Sequence, residues 1–452
     1  MLILMRRKDS PQRARRDALL LAREVLWSLA LALGLTATAP AQTAPPQTGQ
    51  LSLKDAEALA LRNHPQLQAA TYNAQAAEQV TREEKSAYLP TATGSLTGAG
   101  AISNSRIAAG GLNNPLILNR YSNGVQVSQL ITDFGHTSNL VASARLGAKA
   151  ASEGAQQTAQ DVLLEVNRAY YGVLRANAVL QVAEETVQNR QLLVNQVTTL
   201  EKNKLKSMLD VSFASVNLSQ AQLLLVQAQN DQQAAYAELA NALGLSAPQA
   251  FHLADEPLPD DPPADPTALI AQALESRPAL ASLRFSHDAA LRYARAQRYL
   301  WMPTISAAGA AGLTPLAQAP LSDRYAAAGI NVNIPIFNGF LFSARHQEAN
   351  LRAKAADQQM RDLADRIARD VRTAWLDAGT AYQRLDVTAQ LLKQASLALN
   401  LAAGRYKLGL SSIVEMSQAQ LNLTEAQIAN TGAKYDYQIQ SAILSYQVGQ
   451  LH

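Results

Sequence analysis

The chain contains one structural unit twice, and this duplication limits its possible folds more than any other feature. Residues 133–244 match residues 338–449 at a constant offset of 205, so that Gly244 falls on Gly449. An earlier match, between "RNHPQL" and "ESRPAL", has an offset of 213. The difference between the two offsets belongs to an insertion at 104–120, which is rich in Gly and Asn and is predicted to be a surface loop. Such repetition predicts two copies of one architecture.

The two copies define the domain organisation. We predict the first copy at 51–248 and the second at 267–452, each with the order helix, strand, strand, very long helix, long helix. The segment 249–266 between them is acidic and rich in proline, and is predicted to be a linker. Residues 1–41 are predicted to be a signal peptide, and residues 42–50 an N-terminal spacer.

The predicted signal peptide has the three parts of a secretory signal. It starts with arginines, continues with the apolar run "VLWSLALALGL" and ends at a small-x-small cleavage site. The apolar run is shorter than the ~20 residues of a membrane-spanning helix, and no later stretch is predicted to be a transmembrane helix. Residues 1–41 hold seven basic and three acidic residues, and the rest of the chain holds 32 basic and 33 acidic ones. We therefore expect an exported protein that does not bind nucleic acid.

The long helices are predicted from apolar residues that recur at spacings of four and three. One series runs from Val162 to Val197 and is interrupted only by Arg190, and its counterpart runs from Ile367 to Ala402. These are heptad repeats, and alanine at alternate positions allows close helix packing. The predicted helix 136–205 would span roughly 100 Å at 1.5 Å per residue. That length far exceeds the thickness of a bilayer.

The strands are predicted from two alternating, charge-free segments that follow Pro90 and Pro303. After Pro90, small and apolar residues alternate with threonine and serine, and later a series of Ile and Val from Ile330 to Ile336 alternates with asparagine. A soluble core sheet would carry more large apolar residues, whereas this pattern is typical of a barrel wall with lipid outside and water inside. We expect the two prolines to mark the helix–strand junctions, where the helices stop at the membrane.

The residue types exclude most catalytic chemistry. The sequence has no cysteine, which excludes disulfides, thiolate zinc sites and cysteine nucleophiles. Its six histidines are scattered without metal-ligand spacing, and it has neither a glycine-rich phosphate loop nor a nucleophile elbow. We predict a protein that is not an enzyme and that holds no cofactor and no metal.

Together these features resemble the TolC-like outer-membrane efflux protein family. The resemblance rests on the duplicated unit, the "HP" and "RP" dipeptides, the two junction prolines, and the turns "TDFG" and "FNG". The segment "RYKLGLSSIVEMSQAQLNLTEAQ" is similar to the most recognisable part of the family. The resemblance implies a mainly α fold with a membrane β-barrel contribution, in which coiled-coil helices form a periplasmic α-barrel and each chain adds four transmembrane strands. Since four strands cannot close a barrel, a homotrimer is expected.

The resemblance implies the function of an outer-membrane exit duct. Substrates would pass from an inner-membrane pump and a periplasmic adaptor protein through the duct to the cell exterior, and outer-membrane lipid would surround the barrel. The alternative is an exported trimeric coiled-coil surface or structural protein without channel activity. Such a protein usually has one C-terminal membrane anchor, whereas here strands lie in the middle of both copies. That difference favours the duct.

The resemblance also implies a periplasmic gate at the two helical-hairpin tips. Carried over by position, the gate residues are Asp210, Tyr406, Glu415 and Gln418, and Asp210 is expected to bond to Tyr406. Gln418 stands where the family has a second aspartate, so the acidic ring would be thinner. Ser207 with Asp210, and Ser412 with Glu415, also fit capping boxes. Plain helix capping is therefore the alternative role for both acids.

The same tips are the expected docking surface for the adaptor. The residues assigned to it are Lys202, Lys204, Lys206, Arg405, Gly409, Ser411 and Ser412. Two of them depart from the family pattern, because Lys204 replaces a glycine and Ser411 replaces an arginine. The alternative for the three lysines is a solvated tip without a partner.

Overall fold

The computed structural model describes residues 50–100, 120–247, 251–314 and 322–451. The predicted signal peptide, nearly all of the spacer and nearly all of the inserted loop lie outside the described residues. In the first copy the elements are α1 (Leu53–Asn63), α2 (Pro65–Ser86), β1 (Thr91–Ala99), β2 (Arg120–Thr132), α3 (His136–Lys202) and α4 (Met208–Ala242). In the second copy they are α5 (Thr267–Ser276), α6 (Pro278–Tyr299), β3 (Thr304–Leu313), β4 (Arg324–Asn333), α7 (Leu341–Lys407) and α8 (Ile413–Val448).

The two copies repeat each other closely, which confirms the predicted mainly α fold with one small sheet. The very long helices α3 and α7 have 67 residues each, so each spans about 100 Å at 1.5 Å per residue. Both begin after a left-handed turn, at Phe134 and Gly135 in one copy and at Gly339 and Phe340 in the other. These are the "TDFG" and "FNG" turns.

Each copy opens with two helices, where the sequence pattern had predicted one. The break falls before Pro65 and Pro278, because a residue that precedes proline is disfavoured in the α region. His64 and Arg277 are accordingly extended, with ψ of 119° and 120°. The left-handed glycine that ends each copy packs against this break. A Cβ on Gly244 would lie 2.9 Å from the Cα of His64, so only glycine fits.

The four strands form one antiparallel sheet in the order β1-β2-β3-β4. The register places paired residues on a common face. One face is apolar and carries Ala92, Leu96, Val125, Val127, Ile305, Ile330 and Val332. The other is polar and uncharged along most of its length and carries Thr91, Thr93, Ser95, Thr97, Gln126, Ser128, Ser306, Asn331 and Asn333. The sheet therefore has two faces of opposite character, and β1 and β4 are its open edges.

The prediction for the last strand was too long. The alternating series was expected to continue to Ile336, but β4 ends at Asn333, and Ile334 and Ile336 lie in the connection to α7. Pro335 explains the end, since proline cannot donate a hydrogen bond to a neighbouring strand. Both isoleucines remain exposed there, Ile336 at 90 %.

The helices pack as a bundle along α3 and α7. In the upper half, next to the sheet, α2 and α6 lie against α3, and α6 also lies against α7. Toward the far end, α3 pairs with α4 and α7 pairs with α8. The predicted heptad positions are buried or partly buried, and Val162, Val166, Ile367 and Val371 are almost fully enclosed.

Among the described residues one helix, α4, has the length and apolar composition of a membrane span. The sequence analysis had predicted none after the signal peptide. Most of the apolar stretch of α4 is exposed, while its alanines Ala214, Ala221 and Ala228 are buried along the heptad seam. The apolar character of α4 therefore belongs to a helix of the bundle with an uncovered outer face.

The acidic segment between the copies is held firmly against the helices. Leu253 forms a parallel bridge with Leu51, and the Tyr170 hydroxyl lies 2.9 Å from the carbonyl of Leu51 and 2.7 Å from that of Ala254. At the position in the second copy that matches Tyr170, the Trp375 indole donates to the carbonyl of Pro263 at 2.7 Å. The two equivalent aromatic residues thus fasten the two ends of the segment.

Candidate functional site

Two short hairpin tips lie at the end of the bundle remote from the sheet. The first tip, residues 203–207, joins α3 to α4, and the second tip, residues 408–412, joins α7 to α8. A small apolar cluster connects the helices behind them and contains Leu193, Val197, Ala214, Tyr406 and Ile413. The two tips are therefore neighbours within one protomer.

Two residues of the predicted gate, Asp210 and Tyr406, lie near each other at the first tip, but not in the expected pairing. The ammonium nitrogen of Lys206 lies 3.9 Å from the centroid of the Tyr406 ring, a cation–π contact. Asp210 is close enough that, after burial, its negative charge raises the pKa of Tyr406 further. The buried Tyr406 hydroxyl has no hydrogen-bond partner among the described residues. Tyr406 does not form the expected hydrogen bond with Asp210. The ammonium group of Lys206 lies over the tyrosine ring instead.

Asp210 is engaged in capping α4. Its carboxylate accepts from the backbone N–H of Ser207 at 2.9 Å and from the Ser207 hydroxyl at 2.7 Å, and the Ser207 oxygen accepts from the Asp210 N–H. This is the predicted capping box. Burial alone would raise the pKa of Asp210, but the donors of Ser207 and the charge of Lys206 outweigh it and lower the pKa.

The second tip differs because Glu415 has another partner. The Ser412 oxygen accepts from the Glu415 N–H at 3.4 Å, but the reciprocal bond of a capping box is missing. The Glu415 carboxylate lies 3.6 Å from a guanidinium nitrogen of Arg405. The equivalent position in the first copy is Leu200, which offers no such charge. The predicted second capping box is therefore only half formed.

The two tips also differ at their tightest residue. Gly409 has φ of +71° and Lys204, its equivalent, has φ of +59°. This region favours glycine because a Cβ is strained there. Lys204 adopts the backbone conformation of the missing glycine, and its side chain is exposed together with that of Lys202.

The remaining tip residues have local roles. Gln418 is exposed and donates to Asn422 at 2.8 Å. The buried Ser411 hydroxyl has no hydrogen-bond partner among the described residues. A cavity of about 420 Å³ lies between the tips and is lined by Leu205, Lys206, Tyr406, Leu408 and Met416 among others. This cleft was not predicted from the sequence, because its apolar walls come from both copies.

The junction prolines lie between helix and strand as expected. Pro90 follows the end of α2 by four residues and directly precedes β1, and Pro303 has the same position between α6 and β3. No group of three or more potential metal-ligating His, Asp or Glu residues occurs within the described ranges. The tips and the two-faced sheet are thus the two candidate functional regions, about one long helix apart.

Comparison with known proteins agrees with this architecture. The sequence profile of the family described as outer membrane efflux protein matches residues 58–245 and 269–450, one range within each predicted copy. The chain belongs to this family. It is an outer-membrane protein of the efflux type with a periplasmic helical extension, and the family is one of channel proteins, not enzymes.

Individual relatives are distant. The chain is 25% identical over 342 residues to the outer membrane efflux protein BepC of Brucella suis, covering 73% of this chain and 72% of that one. It is 23% identical over 428 residues to the outer membrane protein TolC of Escherichia coli, covering 90% and 85%. Among solved structures, a membrane protein from Pseudomonas aeruginosa superposes with a TM-score of 0.77 at 21% identity, covering 88% and 93%. The fold of this efflux family is therefore shared along nearly the whole chain.

Proposed function

We propose that three copies of this chain assemble into a continuous exit duct across the outer membrane and the periplasm. The observation that carries the proposal is the two-faced sheet, whose edges β1 and β4 are open and which continues directly into helices about 100 Å long. An open edge in lipid leaves backbone N–H and C=O groups without partners. The sheet is therefore completed by further copies, and three copies give about twelve strands, within the range of known barrels.

The exposed surfaces of the isolated chain support this assembly. Large apolar side chains such as Leu96 and Ile330 are more than 70 % exposed on one face of the sheet, where lipid would cover them. On the helices, Leu223 and Leu401 are 71 % and 61 % exposed. Soluble monomers rarely leave such surfaces uncovered over this length. Neighbouring copies in the trimer would cover the helical ones.

The partners follow from the position of the tips. A duct has no energy source of its own, so an inner-membrane pump and a periplasmic adaptor would supply the substrate and the driving force. We place the adaptor contact at the tips, where Lys202, Lys204 and Arg405 are exposed and Leu205 and Leu408 stand out beside the cleft. Lys206, Gly409, Ser411 and Ser412 support the shape of this surface.

We propose that the same tips restrict the duct. The cation–π contact of Lys206 with Tyr406 links the first tip to α7. The ion pair of Arg405 on α7 with Glu415 on α8 connects the two helices that flank the second tip. Asp210, Glu415 and Gln418 from three copies would line the opening. Because Glu415 is partly neutralised by Arg405, the ring would carry less negative charge than its acids alone suggest.

Disulfide cross-linking tests the assembly, since the chain has no cysteine of its own. We would combine Thr93→Cys on β1 with a cysteine at Ala327, Gly329 or Asn331 on β4, all on the polar face. Closure predicts that at least one pair yields a covalent trimer on a denaturing gel after oxidation of outer membranes. Single-cysteine variants should yield none. Only monomers for all three pairs, or ladders beyond three chains, would contradict the proposal.

A further inference from the structure

Arg190 is the one charged residue in the apolar seam of α3, and the structure buries it. Its side chain is only 6 % exposed, and burial lowers the pKa of its guanidinium. Its Nη1 atom is enclosed and has no hydrogen-bond partner among the described residues. Burying a charge without a partner costs free energy of folding. We therefore expect a further group to bind Arg190 and offset this cost.

A cavity of about 360 Å³ adjoins Arg190 and is walled by α3, α7 and α8. Its polar lining consists mainly of uncharged side chains, among them Asn189, Gln196, Asn400, Gln420 and Gln427. The Oε1 atom of Gln420 is likewise buried without a hydrogen-bond partner. Two orphaned polar groups of different helices thus border the same space.

The described residues offer no counter-charge for Arg190. Glu185 is the only acid that lines the cavity; it is exposed, its carboxylate accepts from Gln181 at 3.1 Å, and it forms no ion pair with Arg190. The lining residues of α7 and α8 carry no charge. The guanidinium is therefore the dominant charge of the cavity, and its field favours a negative guest.

We propose that this cavity is a binding site for a small carboxylate solute. A guanidinium matches the geometry of a carboxylate better than that of a spherical ion, and the cavity has room for such a solute with water. A water molecule held with it would donate to the orphaned Gln420 oxygen. The inference is independent of the proposed duct, because it rests on one protomer and does not require conduction.

The second copy indicates that Arg190 is not needed for helix packing. The equivalent position is Ala395, which is buried in the same type of seam. The remaining seam residues of the first copy are apolar, and the second copy has one polar residue in this seam, Thr388. An arginine at this position therefore adds a function that the fold itself does not demand.

The test uses the purified full-length protein in detergent and carbon-13-labelled acetate as the probe. The carbon-13 resonance of the labelled acetate should broaden when the wild-type protein is added, and an excess of unlabelled acetate should reverse the broadening. Arg190→Met keeps an unbranched, flexible side chain in the seam and removes the charge, and it should weaken binding at least tenfold. Arg168→Met removes an exposed charge from the same helix and should leave binding unchanged.

Thermal unfolding gives a second, independent measurement. When sodium acetate replaces sodium fluoride at constant total salt, the Tm of the wild type should rise and saturate, because a ligand that binds only the folded state stabilises it. Arg190→Met should lose this dependence and, without acetate, should be at least as stable as the wild type. Equal broadening or an equal rise of Tm in Arg190→Met would overturn the proposal. The absence of any acetate effect on the wild type would also overturn the proposal. In that case the charge of Arg190 would be compensated by an acid of another copy or by water alone.

Discussion

Lys206 places its ammonium nitrogen 3.9 Å from the centroid of the Tyr406 ring and thereby joins the two hairpin tips of one protomer. Asp210 is close enough to both residues that its charge raises the pKa of Tyr406, and the charge of Lys206 helps to lower the pKa of Asp210. The first tip is thus held by the contact of a lysine with an aromatic ring, while the nearby carboxylate of Asp210 caps α4. The resemblance to the family had implied a direct bond between the tyrosine and the acid.

Removal of the Lys206 ammonium group and removal of the Tyr406 hydroxyl should have unequal effects on the first tip. Lys206→Met loses the cation–π contact and should loosen the first tip, seen as faster amide hydrogen exchange around residues 203–207. Tyr406→Phe keeps the ring and removes a hydroxyl that has no partner in the described structure, so exchange should change little. If Tyr406→Phe loosened the tip as much as Lys206→Met, the direct bond to Asp210 would be the better account.

Lys204 offers a stabilising substitution. It has φ of +59°, a conformation that costs a non-glycine residue about 1 kcal/mol. Lys204→Gly should therefore raise the Tm of the purified protein or leave the tip better protected from exchange. Gly409→Ala at the equivalent position should have the opposite effect. A loss of stability in Lys204→Gly would mean that the lysine side chain makes a contact that outweighs the strain.

The capping box predicts a specific dependence on pH. The pKa of Asp210 is lower in the folded protein than its usual value of 3.8, so its stabilisation is present above that value and is lost as the pH falls through the folded pKa. Protection of the first turn of α4, corrected for intrinsic exchange, should decline below about pH 4 in the wild type. Asp210→Asn should have weaker protection at neutral pH and no such decline. A parallel decline in both proteins would assign the effect to other carboxylates.

The hydroxyl of Tyr170 should contribute more to the stability of the protein than the hydroxyl of a solvent-exposed tyrosine. Its buried hydroxyl has one hydrogen to donate and lies within hydrogen-bond distance of two carbonyls that connect the acidic segment to α1. Tyr170→Phe removes this donor, at a cost of about 1–3 kcal/mol, and should lower the Tm and speed proteolysis at 251–266. Tyr72→Phe, at a tyrosine that is 67 % exposed, is the matched control and should change neither.

The large features of this fold could be predicted because they are periodic. Heptads located α3 and α7, and alternation located the strands, since both patterns report which side of an element is buried. The ends of the tips, where α4 and α8 begin, were equally visible from Ser207 and Ser412, whose side chains suit N-caps. The division of the first helix before Pro65 and Pro278 was not predicted. Proline suits the first turn of a helix, so its presence alone does not show that another helix precedes it.

The contacts at the tips could not be predicted, because they depend on which residues of separate helices meet. Nothing local distinguishes Lys206, which packs on a ring, from Lys202, which is exposed. Likewise Glu415 looked like a capping residue until Arg405, ten positions earlier, was placed beside it. Arg190 was conspicuous as a break in the seam, but only the packed helices show that it is buried and unpaired.

Conduction by the proposed duct can be measured in a planar bilayer with the purified protein under a potassium chloride gradient. We expect small, steady openings that prefer cations, with the preference increased in Arg405→Gln, which frees Glu415, and decreased in Asp210→Asn and Glu415→Gln. Confirmed insertion of the trimer without conductance, in the wild type and in Lys206→Met alike, would show that the protein is not a duct.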